Sequence, residues 1–436
     1  MFTTYEEALN WIHSRLRLGI KPGLKRMEWM MDRLEQPHNK IKAIHVAGTN
    51  GKGSTVCYLR NMLECAGYNV GTFTSPFFEV FNERISVNGQ PIADDEIVKL
   101  ANIIYPLALE LESTDLGSPT EFEIITAMAF YYFGNQEDID IVVFETGLGG
   151  RLDSTNIINP LLTVITNIGY DHMNLLGETL PEIAFEKAGI IKEGVPLVTS
   201  VEQEEAIKVI LDKANSLQSQ VYSLGLDYHL TDKRHVDDGE EFSVRTPTCT
   251  FQDVIITMKG DHQVKNAALS LMAVTVLQQQ QDFNIQETHI RDGLRRARWI
   301  GRFETLCDNP TIIIDGAHNP EGIDSLVKTI KARFSGSKVH IIFCALKDKK
   351  LADMIIPLEK VADSLSFTSF DFPRVSSAKE LFDVSTIENK DFDENWNRMI
   401  TKKMHSLTND DILIVTGSLY FLSEVRPFIV EECKKI

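Results

Sequence analysis

Apolar residues in this chain fall into short, nearly continuous runs, separated by longer stretches where they recur at helical spacing. Runs at 41–48, 70–75, 139–145, 161–168 and 195–201 predict strands. A strand with one wet face alternates apolar and polar residues, whereas these do not. They read as strands covered on both faces, as in a parallel sheet. Helical segments lie between several of them, so the pattern predicts repeated β-α-β units. Residues 267–277 are apolar nearly all round, which predicts a buried helix. A second series begins at Thr311, with strands at 311–317, 339–346, 364–370 and 411–417. In its first helix Ile323, Leu326, Val327, Ile330 and Phe334 mark one face. Between the series Arg291, Arg295, Arg296, Arg298 and Arg302 cluster, and a domain boundary is expected near 297–301. Residues 227–253 are polar and read as loops or a small hairpin, and 278–281 as the polar end of a helix. The fold class is α/β: a large N-terminal domain on a mostly parallel sheet and a smaller, Rossmann-like C-terminal domain.

Composition narrows the partners. The 436 residues include 62 acidic and 44 basic ones, a formal charge of −18. That balance argues against nucleic acid or an anionic membrane as a partner. It leaves room for an anionic small molecule in a locally basic pocket. The six cysteines form no CxxC pair, which fits free thiols in a reducing compartment. Residues 1–10 carry Glu6 and Glu7 without a long apolar run, so no signal peptide is expected. Apolar runs stay short of the roughly 18 residues that span a bilayer, and a cytoplasmic location is expected.

The strongest local signal is Gly48-Thr49-Asn50-Gly51-Lys52-Gly53-Ser54, between a predicted strand and a helix running to about Ala66. Glycines there let backbone N–H groups approach phosphate oxygens. The helix N-terminus adds roughly half a positive charge and Lys52 a full one. Ser54 offers a hydroxyl to Mg²⁺. The spacing departs from the common GxxxxGK[ST] loop, since Gly53 separates Lys52 from Ser54. Glu145 ends the run 139–145, where open α/β sheets place ligands. Asp315-Gly316-Ala317-His318-Asn319-Pro320 follows another strand, with Asn319 as helix N-cap and Pro320 as first helical residue.

The loop GTNGKGS resembles that of the Mur ligase superfamily, in its folylpolyglutamate synthase/dihydrofolate synthase branch. The resemblance continues through Thr74-Ser75-Pro76, Phe81-Asn82-Glu83-Arg84-Ile85, 147–156, 315–320 and 416–418, in order along almost the whole chain. It implies an ATP-dependent ligase that adds L-glutamate to the γ-carboxylate of a reduced folate through an acyl phosphate. Residues 1–297 would then form the ATP- and folate-binding domain and 298–436 the glutamate ligase domain. Thr49, Asn50, Gly51, Lys52, Gly53, Ser54, Asn266, Arg302 and Asp315 would hold the nucleotide. Ser75, Glu145 and His172 would hold magnesium, with two sites expected. Lys187 would be a carbamylated lysine near the second ion, and His318 would stand at the active site. Arg302 lies in Trp299-Ile300-Gly301-Arg302-Phe303-Glu304, where Ile300 replaces the family's usual proline. Phe77, Arg84, Thr120, Phe122 and Asp153 would line the folate side, and Ser418 would help hold glutamate. Closure of the two domains would exclude water, and a monomer is implied. Three other readings stand beside this one. They are glutamate addition to dihydropteroate, a Mur-type ligase acting on a nucleotide-linked sugar peptide, and a nucleotide switch without ligation.

Overall fold

A computed structural model describes residues 1–280 and 283–435, so Gln281 of the polar run 278–281 lies outside the described residues. The chain forms two compact units. The first holds 1–236, 241–256 and 265–297, and the second holds 237–240, 257–264 and 298–436.

Unit one is built on an eight-stranded sheet of β1 (Ala43–Ala47), β2 (Val70–Phe73), β3 (Ile85–Val87), β4 (Gln90–Pro91), β5 (Ile141–Glu145), β6 (Leu162–Ile165), β7 (Leu197–Thr199) and β8 (Val221–Ser223). Their order is β4-β3-β2-β5-β1-β6-β7-β8. The six strands from β2 to β8 in that order are parallel, and β3 and β4 add an antiparallel edge. Every residue of β1, β5 and β6 is buried, which is why their sequences show no alternation. Phe73, Phe130, Phe133 and Phe144 belong to one buried cluster on the sheet, and Ile165, Ile183, Ile190, Leu197 and Ile210 to a second. The connections diverge at β1, with β5 and β2 on one side and β6 to β8 on the other. Such a switch point leaves a crevice at the carboxyl ends of the strands.

The region 227–253 differs from the expectation of loops or a small hairpin. It carries β9 (His229–Val236), β10 (Gly239–Arg245) and β11 (Thr250–Ile256), in the order β11-β10-β9. The side chains of β9 are mostly exposed and polar, so no apolar run marks it.

Unit two carries β12 (Glu304–Asp308), β13 (Thr311–Asp315), β14 (Lys338–Phe343), β15 (Ser364–Thr368), β16 (Lys390–Asp393) and β17 (Asp411–Thr416), ordered β12-β13-β17-β14-β15-β16. All neighbours are parallel except the antiparallel edge strand β12. The helix Pro320–Arg333 buries Ile323, Leu326, Val327 and Ile330 against Ile313, Ile341 and Ile414, the face its spacing predicts. Among the described residues no helix is long and apolar enough to cross a membrane.

Candidate active site

In unit one the glycine-rich loop leaves β1 at the switch point and enters the helix Lys52–Cys65. Two glycines are obligatory there. Gly48 has φ +150°, and a Cβ on it would lie 1.8 Å from Thr166 Oγ1. Gly51, the helix N-cap, has φ +87°, and its Cβ would lie 2.4 Å from Asn266 Oδ1. Among the described residues no side chain caps this helix, so its first-turn amides face the loop. The segment after β6 fixes the loop from outside. Thr49 N–H donates to Asn167 O at 3.0 Å, and Asn50 N–H to Asn167 Oδ1 at 2.7 Å. Thr166 Oγ1 donates to Asn50 O at 2.6 Å, and Gly169 N–H donates to Thr49 Oγ1 at 3.0 Å.

Two lysines converge on one carbonyl. Lys52 Nζ donates to Gly48 O at 3.1 Å and Lys187 Nζ to the same oxygen at 2.9 Å. Lys187 ends the helix Leu180–Lys187 and is buried. Burial first, and the Lys52 charge second, bring its pKa down to about 7 against the opposing pull of Asp171 and Asp153. A lysine near neutrality is a free-amine nucleophile at ordinary pH, as carbamylation by carbon dioxide requires. The loop 147–156 supports this helix: Arg151 N–H donates to Glu186 O at 2.7 Å and its guanidinium pairs with the Glu186 carboxylate at 2.8 Å.

Glu145 lies at the end of β5, with Oε1 4.0 Å from Lys52 Nζ and Oε2 accepting Ser75 N–H at 3.3 Å. Ser75 and Glu145 therefore meet beside the phosphate loop, and their oxygen donors suit a hard cation such as Mg²⁺. His172 lies in an exposed turn after β6, in the left-handed region (φ 50°), with Nε2 4.0 Å from Asp171 Oδ1.

The folate-side candidates divide. Phe77, Phe81 and Arg84 gather after Ser75, the guanidinium carbon 5.2 Å and 5.8 Å from the two ring centroids. Glu83 holds this loop by accepting N–H groups of Phe78 at 2.7 Å and of Glu79 and Val80 at 2.8 Å. Phe122 covers the loop after β5, and a Cβ on Gly147 would lie 2.5 Å from its ring. Thr120 and Asp153 bond inward. Thr120 makes a capping box with Glu123, whose buried carboxylate also takes Arg26 Nε at 2.8 Å. Asp153 accepts Leu148 N–H at 2.8 Å, Thr155 N–H at 3.0 Å and Thr155 Oγ1–H at 2.5 Å. Thr155 Oγ1 in turn lies 2.8 Å from His45 Nε2 on β1. Burial raises the Asp153 pKa and lowers that of His45 to about 3, so His45 is neutral and donates from Nε2.

Unit two repeats the plan at the carboxyl ends of β13 and β17, which pair Asp315 with Thr416. Asp315 accepts Phe303 N–H at 2.9 Å and Ala317 N–H at 3.0 Å. Burial raises its pKa, and the Arg302 charge opposes that rise. Arg302 donates to Gly316 O at 3.4 Å, and His318 Nδ1 lies 2.8 Å from the same oxygen, where it donates. Asn319 caps its helix through Gly322 N–H at 2.8 Å, and Ser418 caps the helix Leu419–Cys433 through Phe421 N–H at 3.4 Å. Ile300, in place of proline, is part of a turn in which Arg302 N–H reaches Trp299 O at 3.3 Å.

Sequence reasoning missed Thr166, Asn167, Glu83 and Glu186. The first two had a signal, since they follow a buried strand whose carboxyl end opens on the crevice. Glu83 and Glu186 act through backbone amides and an ion pair that no spacing reveals.

Two family models match the chain: the Mur ligase middle domain over residues 46–274 and the Mur ligase glutamate ligase domain over 301–419. The dihydrofolate synthase/folylpolyglutamate synthase of Bacillus subtilis is 50% identical over 426 residues, covering 98% of this chain and 99% of its own. The crystal structure of folylpolyglutamate synthase from Thermotoga maritima superposes with a TM-score of 0.86 at 35% identity, covering 99% of both chains. A complex of this enzyme type with AMPPCP and folate gives a TM-score of 0.87 at 32% identity, covering 98% of this chain and 100% of that one. A phosphate loop at the switch point, a second α/β unit and full-length similarity agree, and the chain belongs to the Mur ligase superfamily, in its folylpolyglutamate synthase/dihydrofolate synthase branch.

Proposed function

We propose that this chain is an ATP-dependent ligase that adds L-glutamate to the γ-carboxylate of a reduced folate or folylpolyglutamate. The observation that carries the reading is the pair of lysines at Gly48 O beside Glu145, in a chain similar along its length to enzymes of that name. The folate carboxylate attacks the γ-phosphorus of ATP, giving an acyl phosphate and ADP. The glutamate amine then attacks the acyl carbon, a proton leaves the nitrogen, and phosphate departs. Lys52 and the first-turn amides hold the transferring charge. Ser75 and Glu145 would hold Mg²⁺, which supplies charge neutralisation on the phosphoryl group. His172 and a carbamylated Lys187 would complete two metal sites. Asn266 packs on Gly51 and would reach nucleotide from there. Arg302, Asp315, His318 and Ser418 would serve nucleotide and glutamate from unit two. Phe77, Arg84, Phe122, Thr120 and Asp153 would shape the folate side, the last two by holding its loops. We assign the ATP and folate role to 1–297 and the glutamate ligase role to 298–436. The acidic balance and the unbridged cysteines support a cytoplasmic enzyme that binds no nucleic acid, and the family resemblance supports a monomer.

The shared name of the Bacillus subtilis relative, at 50% identity, favours dihydropteroate as a second acceptor. The matched glutamate ligase domain has no purpose in a nucleotide switch, and the folate-branch relatives argue against a sugar-peptide acceptor. Phosphate release from Mg·ATP should require both L-glutamate and either tetrahydrofolate or dihydropteroate, with a product one glutamyl residue heavier. Release indifferent to glutamate, with no heavier product, would refute the reading.

A further inference from the structure

The six cysteines are all unbridged thiols, and four of them are scattered. Two, Cys307 and Cys433, are brought together by the geometry of unit two. The edge strand β12 is out of phase at one point. Glu304 pairs with Ile314 and Thr305 with Ile313, but Cys307 pairs with Ile312, so Leu306 is the extra residue of a bulge. Ile312 and Ile314 lie two residues apart on β13 and share a face. Their partners Glu304 and Cys307 therefore share a face as well, which three-residue spacing in a regular strand would not give. On the helix Leu419–Cys433, Arg426 and Cys433 are seven residues apart, nearly two turns, and also share a face. Arg426 joins the two elements, with Nε 3.1 Å and Nη2 2.6 Å from Glu304 Oε1. One step further along both elements the shared faces bring Cys433 towards Cys307, and the Cys307 sulfur is near enough to raise the Cys433 pKa. Both are half-buried, so a small oxidant reaches them.

We propose that Cys307 and Cys433 are a redox modification site, a vicinal dithiol that closes to a disulfide and fastens the C-terminal helix to β12. With a low-molecular-weight disulfide as oxidant, one cysteine sulfur attacks it, forming a mixed disulfide and releasing one thiol. The second cysteine sulfur attacks the mixed disulfide and releases the other thiol. Two S–H bonds and the oxidant's S–S bond are lost, and one protein S–S bond forms. Both protons end on the two released thiols, and two electrons pass to the oxidant. Burial, and then the neighbouring sulfur, push the Cys433 thiol up to about 12, which slows thiolate formation at that sulfur. Loss of either thiol removes the closing step.

The test uses the full chain incubated with excess glutathione disulfide, alkylated and digested without reduction. Mass spectrometry is expected to find the peptides of Cys307 and Cys433 joined, with two hydrogens lost, and dithiothreitol to separate them. The cross-linked protein is expected to melt higher than the reduced one by roughly 5 °C, because the bond constrains the unfolded chain. C307S and C433S are each expected to abolish the joined peptide and to leave the remaining cysteine alkylated or as a glutathione adduct. Glutathione adducts or alkylated thiols at both positions of the native chain, with no joined peptide, would overturn the proposal.

Discussion

Thr155→Val would test whether the loop 147–156 is held by the buried line His45, Thr155, Asp153. The substitution keeps the shape of the side chain and removes its hydroxyl. Two hydrogen bonds vanish, at 2.8 Å to His45 and 2.5 Å to Asp153. Among the described residues His45 Nδ1 has no hydrogen-bond partner, so losing the Nε2 contact leaves the whole imidazole polar edge unsatisfied in a fully buried site. An unsatisfied buried donor costs about 1–3 kcal/mol, and a hydrogen bond to a charged group is worth about 1.5–3 kcal/mol. The expected loss of unfolding free energy is thus about 3–5 kcal/mol. Asp153 keeps its bonds from Leu148 and Thr155 N–H, so the loop should loosen rather than detach. Urea unfolding read by circular dichroism measures the change, with the slope held constant between the variants. His45→Phe alone should cost less, because it removes the donor together with its demand. The double variant should be more stable than the sum of the single losses implies, by about 1–2 kcal/mol of coupling. A Thr155→Val midpoint indistinguishable from that of the native chain, or fully additive losses, would refute the network.

Gly48→Ala should cut ATP affinity more than tenfold, above about 1.4 kcal/mol, because its methyl group has no space beside Thr166; titration calorimetry with a non-hydrolysable analogue measures it. Lys187 carries a pH signature in buffer free of carbon dioxide. Its folded pKa of about 7 lies below the unfolded lysine value near 10.4, so between them the unfolded chain binds more protons. Stability should therefore rise with pH across that window, by about 3–5 kcal/mol in total, with the penalty complete below pH 7. Lys187→Met should flatten the rise, and equal slopes in the two proteins would contradict it. Glu83→Gln leaves three loop amides without a charged acceptor, so KM for folate should rise several-fold while KM for ATP stays within twofold; an equal rise in both would point to a general loss of structure.

What the sequence made legible follows from burial. All nine strands read from apolar runs exist, because the central strands of both sheets have no wet face to dilute the signal. Eight of the nine end earlier than their apolar runs do, since residues such as Ile168 and Ala317 are buried in the loops beyond the strand ends. Edge and surface strands escaped. β9 is polar and exposed, β16 is Lys-Asp-Phe-Asp, and β12 is bulged and half-buried. Within the site, Lys52, Ser75 and Glu145 were legible because each stands at a strand or loop end that opens on the switch point. The inward turn of Thr120 and Asp153 was not, because a carboxylate or hydroxyl in a loop looks the same whether it faces ligand or backbone amides. The near-neutral Lys187 was equally hidden, since its environment comes from Gly48, Lys52, Asp153 and Asp171, all distant in sequence.

The central claim is that the acceptor carboxylate is phosphorylated before the amide forms. Tetrahydrofolate labelled with heavy oxygen in its γ-carboxylate, incubated with Mg·ATP, L-glutamate and the full chain, tests it directly. The acyl phosphate route predicts one labelled oxygen in each phosphate released, matched to each glutamyl residue added. Unlabelled phosphate alongside a heavier folate product would contradict it.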